Sequence, residues 1–313
     1  MASLVDRLAD DIRAGRLAPG ARLPTHRQLA ATHRIAIATA SKVYALLKSR
    51  GLAVGEIGRG TFVRDRPMAL DWDAADESRR PGEAFDLSFN HPDTDGQADL
   101  LRAMLRNLAA GGDLSALMQQ QPPGGRQRDR LAVRDFLAAE RGIDVAPDRL
   151  FLVNGAQQGL DIAARTWLSP GDQVAVDALS YPGFRMLAAA QRLTLKPVRV
   201  AGDGPDLHAL EALCRSRRVK AIYAMPTLHN PLGWVMDEAQ RHRLVAIARR
   251  HDCLLIEDAA YAFLADAPPP ALVTLAPERT AYVSSLSKSV ATGLRAGYVV
   301  VPDAAARRAK AQI

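Results

Sequence analysis

The chain has 313 residues, 48% apolar and 24% charged, enough for a buried core and for more than one domain of ordinary size. It contains no run of about 18 apolar residues, and its first stretch, "MASLVDRLADDIRAG", carries acids where a signal peptide is apolar, so neither a membrane helix nor export is expected and the location is read as cytoplasmic. Residues 1–66 hold 12 Lys and Arg against 5 Asp and Glu, whereas the remaining 29 basic residues are matched by 29 acidic ones, a basic module joined to a neutral one, as expected when the first module alone meets nucleic acid.

In chain order, Leu4, Leu8 and Ile12 recur at helical spacing up to Gly15. "LPTHRQLA" then sets Thr25 and Gln28 in capping-box relation at the start of a short helix carrying Arg27. After a break at His33-Arg34, "IAIATASKVYALLKSRGL" reads as another helix, with Val43, Tyr44 and Leu47 inward and Thr39 and Lys42 outward. Two short helices about a tight turn make a helix-turn-helix pattern. "LAVGEIGRGTFVR" follows as a β-hairpin with Arg59 between Gly58 and Gly60 at its tip, and a hairpin after helix-turn-helix is a wing. Residues 66–84, with Pro67, Pro81, Gly82 and mixed charge, read as a linker.

From about Leu150 onward, "LFLV", "QVAV", "VKAIYA", "CLLIE", "TAYVS" and "GYVVV" read as strands. They alternate with amphipathic stretches such as "AQQGLDIAARTWL" and "EAQRHRLVAIARRH", which predicts an α/β domain with a mainly parallel sheet. Cys214 and Cys253 fall here in apolar surroundings without metal-ligand spacing, as buried thiols. In such sheets ligands sit at the carboxyl ends of strands, so the polar residues there matter.

"VNGAQQG" places Gly155, Ala156 and Gln157 at a helix start suited to phosphate. Tyr181 in "ALSYPGF" is either a core tyrosine or a stacking platform. Asn230 lies in the polar loop "MPTLHNPLG", and "LLIEDAAYAF" carries Asp258 and Tyr261. Lys288, one of only six lysines in the chain, stands in "SLSKSV" between Ser285, Ser287 and, seven residues on, Arg295. An aldehyde cofactor needs an amine that can lose its proton, which arginine cannot supply, and desolvation together with Arg295 is expected to favour that neutral form.

Two resemblances follow from these stretches. "LPTHRQLA", "KVYALLKSRGL" and "GRGTFV" resemble the DNA-binding domain of GntR-type bacterial regulators, which implies that Arg27, Thr39, Lys42, Arg59 and Thr61 lie at or near a double-stranded operator. "NGAQQGL", "YPGF", "HNPLG", "EDAAYAF" and "SLSKSVATGLRAGY" resemble the fold-type I, class I/II aminotransferases. That likeness implies pyridoxal 5'-phosphate bound covalently at Lys288, with Asp258 on the pyridine nitrogen and Asn230 and Tyr261 on the ring oxygen. It further implies Tyr181 on the ring face, and Gly155, Ala156, Gln157, Ser285, Ser287 and Arg295 around the phosphate.

The two halves together resemble the MocR/GabR regulators. The organisation implied is a winged helix over 1–66, a linker over 67–84 and an aminotransferase-like domain over 85–313. The function implied is a homodimeric, cofactor-bearing transcription regulator sensing an amine or amino acid. An aminotransferase with an accessory DNA-binding arm, or a regulator with a cofactor-free scaffold, stays open. Three departures stand out. Ala36-Ile37 occupies the place where GntR domains commonly have Ser-Arg, Gln120 replaces a phosphate-contacting tyrosine, and the sequence to Ile313 does not reach the subdomain whose arginine grips a substrate carboxylate. The last two favour sensing over turnover as the expectation.

Overall fold

A computed structural model of the chain describes residues 2–13, 16–18, 20–49, 52–56, 60–63, 96–111, 114–216 and 218–313. The linker reading and the wing tip with Arg59 lie outside the described residues. The chain divides into two compact units, Met1–Ala84 and Phe85–Ile313.

The first unit opens with α1 (Ala2–Arg13), α2 (His26–His33) and α3 (Ile37–Ser49), followed by the antiparallel pair β1 (Ala53–Glu56) and β2 (Gly60–Val63). Thr25 is the N-cap of α2. The backbone N–H of Gln28 donates to its hydroxyl, and its own N–H donates to Gln28 Oε1 at 2.8 Å, closing the capping box. The helix ends at Arg34, whose φ of 50° turns the chain into α3. Leu4, Val5 and Ala9 of α1 pack with Leu29 and with Val43, Tyr44 and Leu47 of α3, all buried. Each large apolar side chain so buried contributes about 1.5–3 kcal/mol. The Tyr44 hydroxyl donates to the carbonyl of Pro24, tying α3 to the segment that caps α2. The wing strand β2 is held on its other edge by residues 20–23. The N–H of Leu23 donates to the Thr61 carbonyl at 2.8 Å, and that of Val63 to the Ala21 carbonyl at 2.8 Å.

In the second unit, α4 (Gln97–Gly111), α5 (Leu114–Leu117) and α6 (Gln127–Arg141) lead into an alternating series. That series runs β3 (Leu150–Val153), α7 (Ala156–Trp167), β4 (Gln173–Asp177), α8 (Pro182–Ala190), β5 (Thr194–Val198), α9 (Leu207–Cys214), β6 (Val219–Ala224) and α10 (Glu238–Arg250). It continues with β7 (Leu254–Asp258), α11 (Leu272–Leu275), β8 (Thr280–Ser285), β9 (Gly297–Val300) and α12 (Ala306–Lys310). The strands form one seven-stranded sheet in the order β3-β9-β8-β7-β6-β4-β5. All neighbours are parallel except β9, which runs antiparallel to both β3 and β8.

Side-chain alternation splits the sheet into two faces. Val174, Val176, Tyr223, Ile256 and Val283 meet α7 and α8 on one side, through Leu160, Phe184 and Leu187. Ala175, Ile222, Ala224 and Leu255 meet α9 and α10 on the other, through Leu210, Leu244 and Ile247. Helices on both faces explain why the strands read as nearly continuous apolar runs. The direction of the strands places the site. The carboxyl ends of β3, β4, β6, β7 and β8 share one edge of the sheet, and antiparallel β9 brings its first residues to that same edge.

Candidate functional site

At this edge the structure gathers the polar residues singled out in the sequence. Asp258 closes β7 and is 2% exposed. The period of two directs it to the α7/α8 face and sends its neighbour Glu257 to the opposite one. Its Oδ2 accepts a hydrogen bond from the Tyr223 hydroxyl at 2.7 Å and its Oδ1 one from the Ala260 N–H at 3.1 Å. Burial raises its pKa, against the lowering effect of these two donors.

Tyr181 is the N-cap of α8, with Pro182 at the first helical position. A Cβ on Gly183 would come within 2.4 Å of its ring, so glycine there makes room for the tyrosine. Burial drives its pKa up to about 12, with Asp258 and Tyr261 adding to the rise and Arg295 opposing it. Those couplings place Tyr181, Asp258, Tyr261 and Arg295 in one neighbourhood. Tyr261 itself packs, half-buried, against the α7/α8 face of the core.

Gly155 caps α7 with φ of 82°, a conformation costly to other residues. The Arg295 guanidinium lies over it, since a Cβ there would come 3.2 Å from Nη2. The first N–H groups of α7, including those of Ala156 and Gln157, have no acceptor within the helix, and its positive dipole end meets this arginine. Gln157 Nε2 donates to the Gly183 carbonyl at 2.9 Å, fastening the starts of α7 and α8 together.

Ser285 ends β8 opposite Gly297 of β9 and is buried. Beyond it, Ser287 is also buried and its Oγ has no hydrogen-bond partner. Lys288 occupies a turn closed by the Val290 N–H on the Leu286 carbonyl at 2.9 Å. The Thr292 hydroxyl donates to the Ser287 carbonyl at 3.1 Å in the same turn. Desolvation lowers the Lys288 pKa, which favours the neutral amine. Burial is the cause of the shift.

Asn230 is half-buried in the loop after β6. The residue before it anchors that loop. His229 is stacked on Trp234 at 4.2 Å, accepts the Leu232 N–H at Nδ1, and sets Nε2 3.2 Å from Asp177 Oδ2 at the end of β4. Arg241, 1% exposed, reaches from α10 to the carbonyls of Pro226, Met236, Pro269 and Pro270 and to the Thr227 hydroxyl. Asp177, His229, Tyr223 and Arg241 were not singled out in the sequence. Asp177 and Tyr223 fall inside or directly after apolar runs, where strand pattern alone gives no signal for a polar contact.

These residues fit a phosphorylated pyridine aldehyde. An orphaned buried hydroxyl, a guanidinium and a helix start suit the phosphate, a buried carboxylate suits the ring nitrogen, and a desolvated amine suits the aldehyde.

In the first unit Arg27 and Lys42 are exposed on α2 and α3, and Thr39 is partly exposed. Thr61 lies on β2. It is 7% exposed, and its carbonyl accepts the Leu23 N–H.

Residues 83–313 match the family described as aminotransferase class I and II. The chain belongs to that family. Residues 2–63 match the bacterial regulatory proteins of the gntR family. A gntR-family domain joined to a class I and II aminotransferase domain is the MocR/GabR-type organisation. Among relatives, the HTH-type transcriptional regulator YdeF of Bacillus subtilis (strain 168) is 30% identical over 303 residues, covering 96% of this chain and 64% of that protein. The probable rhizopine catabolism regulatory protein MocR of Rhizobium meliloti is 27% identical over 323 residues, covering 96% of this chain and 64% of that one. The chain thus spans about two thirds of the length of these curated relatives. Among solved structures, an archaeal alanine:glyoxylate aminotransferase superimposes with TM-score 0.65 at 26% identity, covering 72% of this chain and 57% of that one. LysN, the alpha-aminoadipate aminotransferase of Thermus thermophilus, solved with N-(5'-phosphopyridoxyl)-L-leucine, gives 0.62 at 27%, covering 72% and 58%. The family and these neighbours depend on pyridoxal phosphate.

Proposed function

We propose that this protein is a DNA-binding transcription regulator that carries pyridoxal phosphate at Lys288 and responds to an amine or amino acid. One observation carries the reading: a basic winged-helix unit shares a chain with a sheet edge holding a desolvated lysine, a buried aspartate and a phosphate cradle. Bound there, the cofactor supplies an aldehyde that can exchange one amine partner for another. The chain's own residues do the rest. Lys288 presents an amine that burial helps to lose its proton, Asp258 holds the proton of the ring nitrogen, and Tyr181 covers the ring face. Asn230 and Tyr261 address the ring oxygen, and Gly155, Ala156, Gln157, Ser285, Ser287 and Arg295 hold the phosphate. Arg27, Thr39, Lys42 and Arg59 face DNA. The protein acts in the cytoplasm as a homodimer on a two-part operator, and effector binding shifts an equilibrium that the DNA-binding unit reads.

Borohydride treatment of the purified protein in excess pyridoxal phosphate should fix the cofactor to the peptide containing Lys288. Lys288→Ala and Lys288→Arg should both abolish that adduct and leave operator binding unchanged. A folded protein with no reducible adduct at saturating cofactor returns the second unit to a scaffold. Steady turnover of an amino acid with a keto acid acceptor would instead mark an aminotransferase with a DNA-binding arm.

A further inference from the structure

Tyr223 sits on β6, beside the strand that ends in Asp258, and parity puts both side chains on the same sheet face. Its hydroxyl is 2.7 Å from Asp258 Oδ2, and residue and carboxylate alike are 2% exposed. Its ring is clamped from the other side, stacked on buried Phe184 at 3.9 Å and 9°. The phenol therefore has one partner and little freedom to leave it. Burial and the facing Asp258 hold the Tyr223 pKa well above its ordinary range, so the hydroxyl keeps its proton and acts only as a donor to this carboxylate. Each carboxylate oxygen has two lone pairs. With Tyr223 on one oxygen and Ala260 on the other, a lone pair remains on each for a further donor.

We propose that Tyr223 is a positioning residue for Asp258: its hydroxyl keeps the carboxylate ionised and oriented, and so sets how firmly the ring nitrogen of bound pyridoxal phosphate keeps its proton. This rests on the cofactor reading above. The physical basis is competition between two bases for one proton. A donor to the carboxylate lowers its proton affinity, which leaves the proton on the nitrogen; loss of that donor draws the proton back toward the carboxylate. The other groups that act on this pair are Tyr181 before α8, which acts on both, Tyr282 on β8, which acts on Asp258 from the opposite sheet face, and Asp177, which acts on Tyr223. Arg295 and Tyr261 act on Tyr181 in turn. Tyr223→Phe keeps the volume and the stacking on Phe184 and leaves all of these in place, so it isolates the hydroxyl.

The test uses the full chain loaded with pyridoxal phosphate carrying 15N in its ring, with the nitrogen shift followed against pH. Cofactor affinity is measured separately by titrating the unloaded protein. In Tyr223→Phe the ring-nitrogen shift at its neutral-pH plateau should move from the protonated toward the unprotonated value, the one shared proton being redistributed toward Asp258 by about tenfold to a hundredfold, the scale of a lost hydrogen bond to a charged group. Affinity should fall about tenfold, and Asp258→Asn should give the larger limit of both effects. Replacing Tyr223 with 3-fluorotyrosine, a stronger donor of nearly the same shape, should move the plateau shift further toward the protonated value, and this arm decides the matter if the Phe variant does not fold. A loaded, folded Phe variant with the wild-type plateau shift overturns the assignment, as does a fluorotyrosine variant whose plateau does not move toward the protonated value. A wild-type protein that takes up no cofactor overturns the site reading itself, and this inference with it.

Discussion

Glu257 and Asp258 are adjacent in sequence, both buried on β7, and opposite in use. The strand's period of two sends Asp258 toward Tyr223 and the cofactor edge, and Glu257 to the far face. There Glu257 accepts the N–H groups of Leu272 at 3.1 Å and Val273 at 3.0 Å, at the start of α11. Two donors and nearby Arg241 do not offset the loss of solvent, and its pKa is pushed up to about 7 from 4.5. A carboxyl whose folded pKa lies above its unfolded value contributes stability that is fully present below the unfolded pKa and lost as pH rises through the folded one. The window here is therefore pH 4.5 to about 7. Glu257→Gln removes the titration and keeps one acceptor oxygen. Relative to the variant, the natural protein should lose up to about 3 kcal/mol between pH 4.5 and about 7, since each pKa unit corresponds to about 1.4 kcal/mol. Denaturant titrations of the two proteins across that range measure the difference, and parallel pH profiles would contradict it.

Elements with strong local signals were legible in the sequence, and those fixed by neighbours were not. The capping box at Thr25 and Gln28, the inward face of α3 and six of the sheet strands follow from caps and apolar periodicity. The edge strand β5 carries Lys196 and Pro197 in "TLKPV", and proline removes the pattern by which a strand is recognised, while an edge position tolerates it. The helix α8 hides behind "YPGF", where Pro182-Gly183 reads as a turn although proline at a first helical position starts a helix. Thr61 was placed at or near DNA by the GntR resemblance, and the sequence carried no signal of what pairs with its strand. The segment at residues 20–23 pairs with the free edge of β2. Tyr223 was invisible for a similar reason, since its partner comes from another strand. At this scale the α2 cap is the sharpest test. Thr25→Ala removes the side-chain acceptor for the Gln28 N–H, at a cost of about 1 kcal/mol. Hydrogen exchange on the full chain should show faster exchange at Gln28 and Leu29, with the second unit unchanged. Equal rates in both proteins would show that packing of Leu29 alone holds the helix.

For the whole molecule, the separation of charge predicts how DNA binding responds to salt. The +7 balance belongs to residues 1–66, and the remainder is neutral, so phosphate contacts should come from one unit of each chain. Binding should weaken linearly on a log–log plot against salt, with about 0.9 units of slope for each phosphate neutralised. Arg27 and Lys42 are exposed on α2 and α3, and neither supports the buried core of its helix. Replacing one of them with alanine should therefore change the slope more than the stability. The change also counts copies. If one chain binds, Arg27→Ala should reduce the slope by about 0.9, whereas the proposed dimer on a two-part operator loses two contacts and about 1.8. Lys288→Ala, in the other unit, should leave the slope as it is. Anisotropy titrations of labelled operator at several salt concentrations provide all three slopes. A slope unaffected by Arg27→Ala would remove that residue from the interface, and a loss of about 0.9 would mean that a single basic unit meets the DNA.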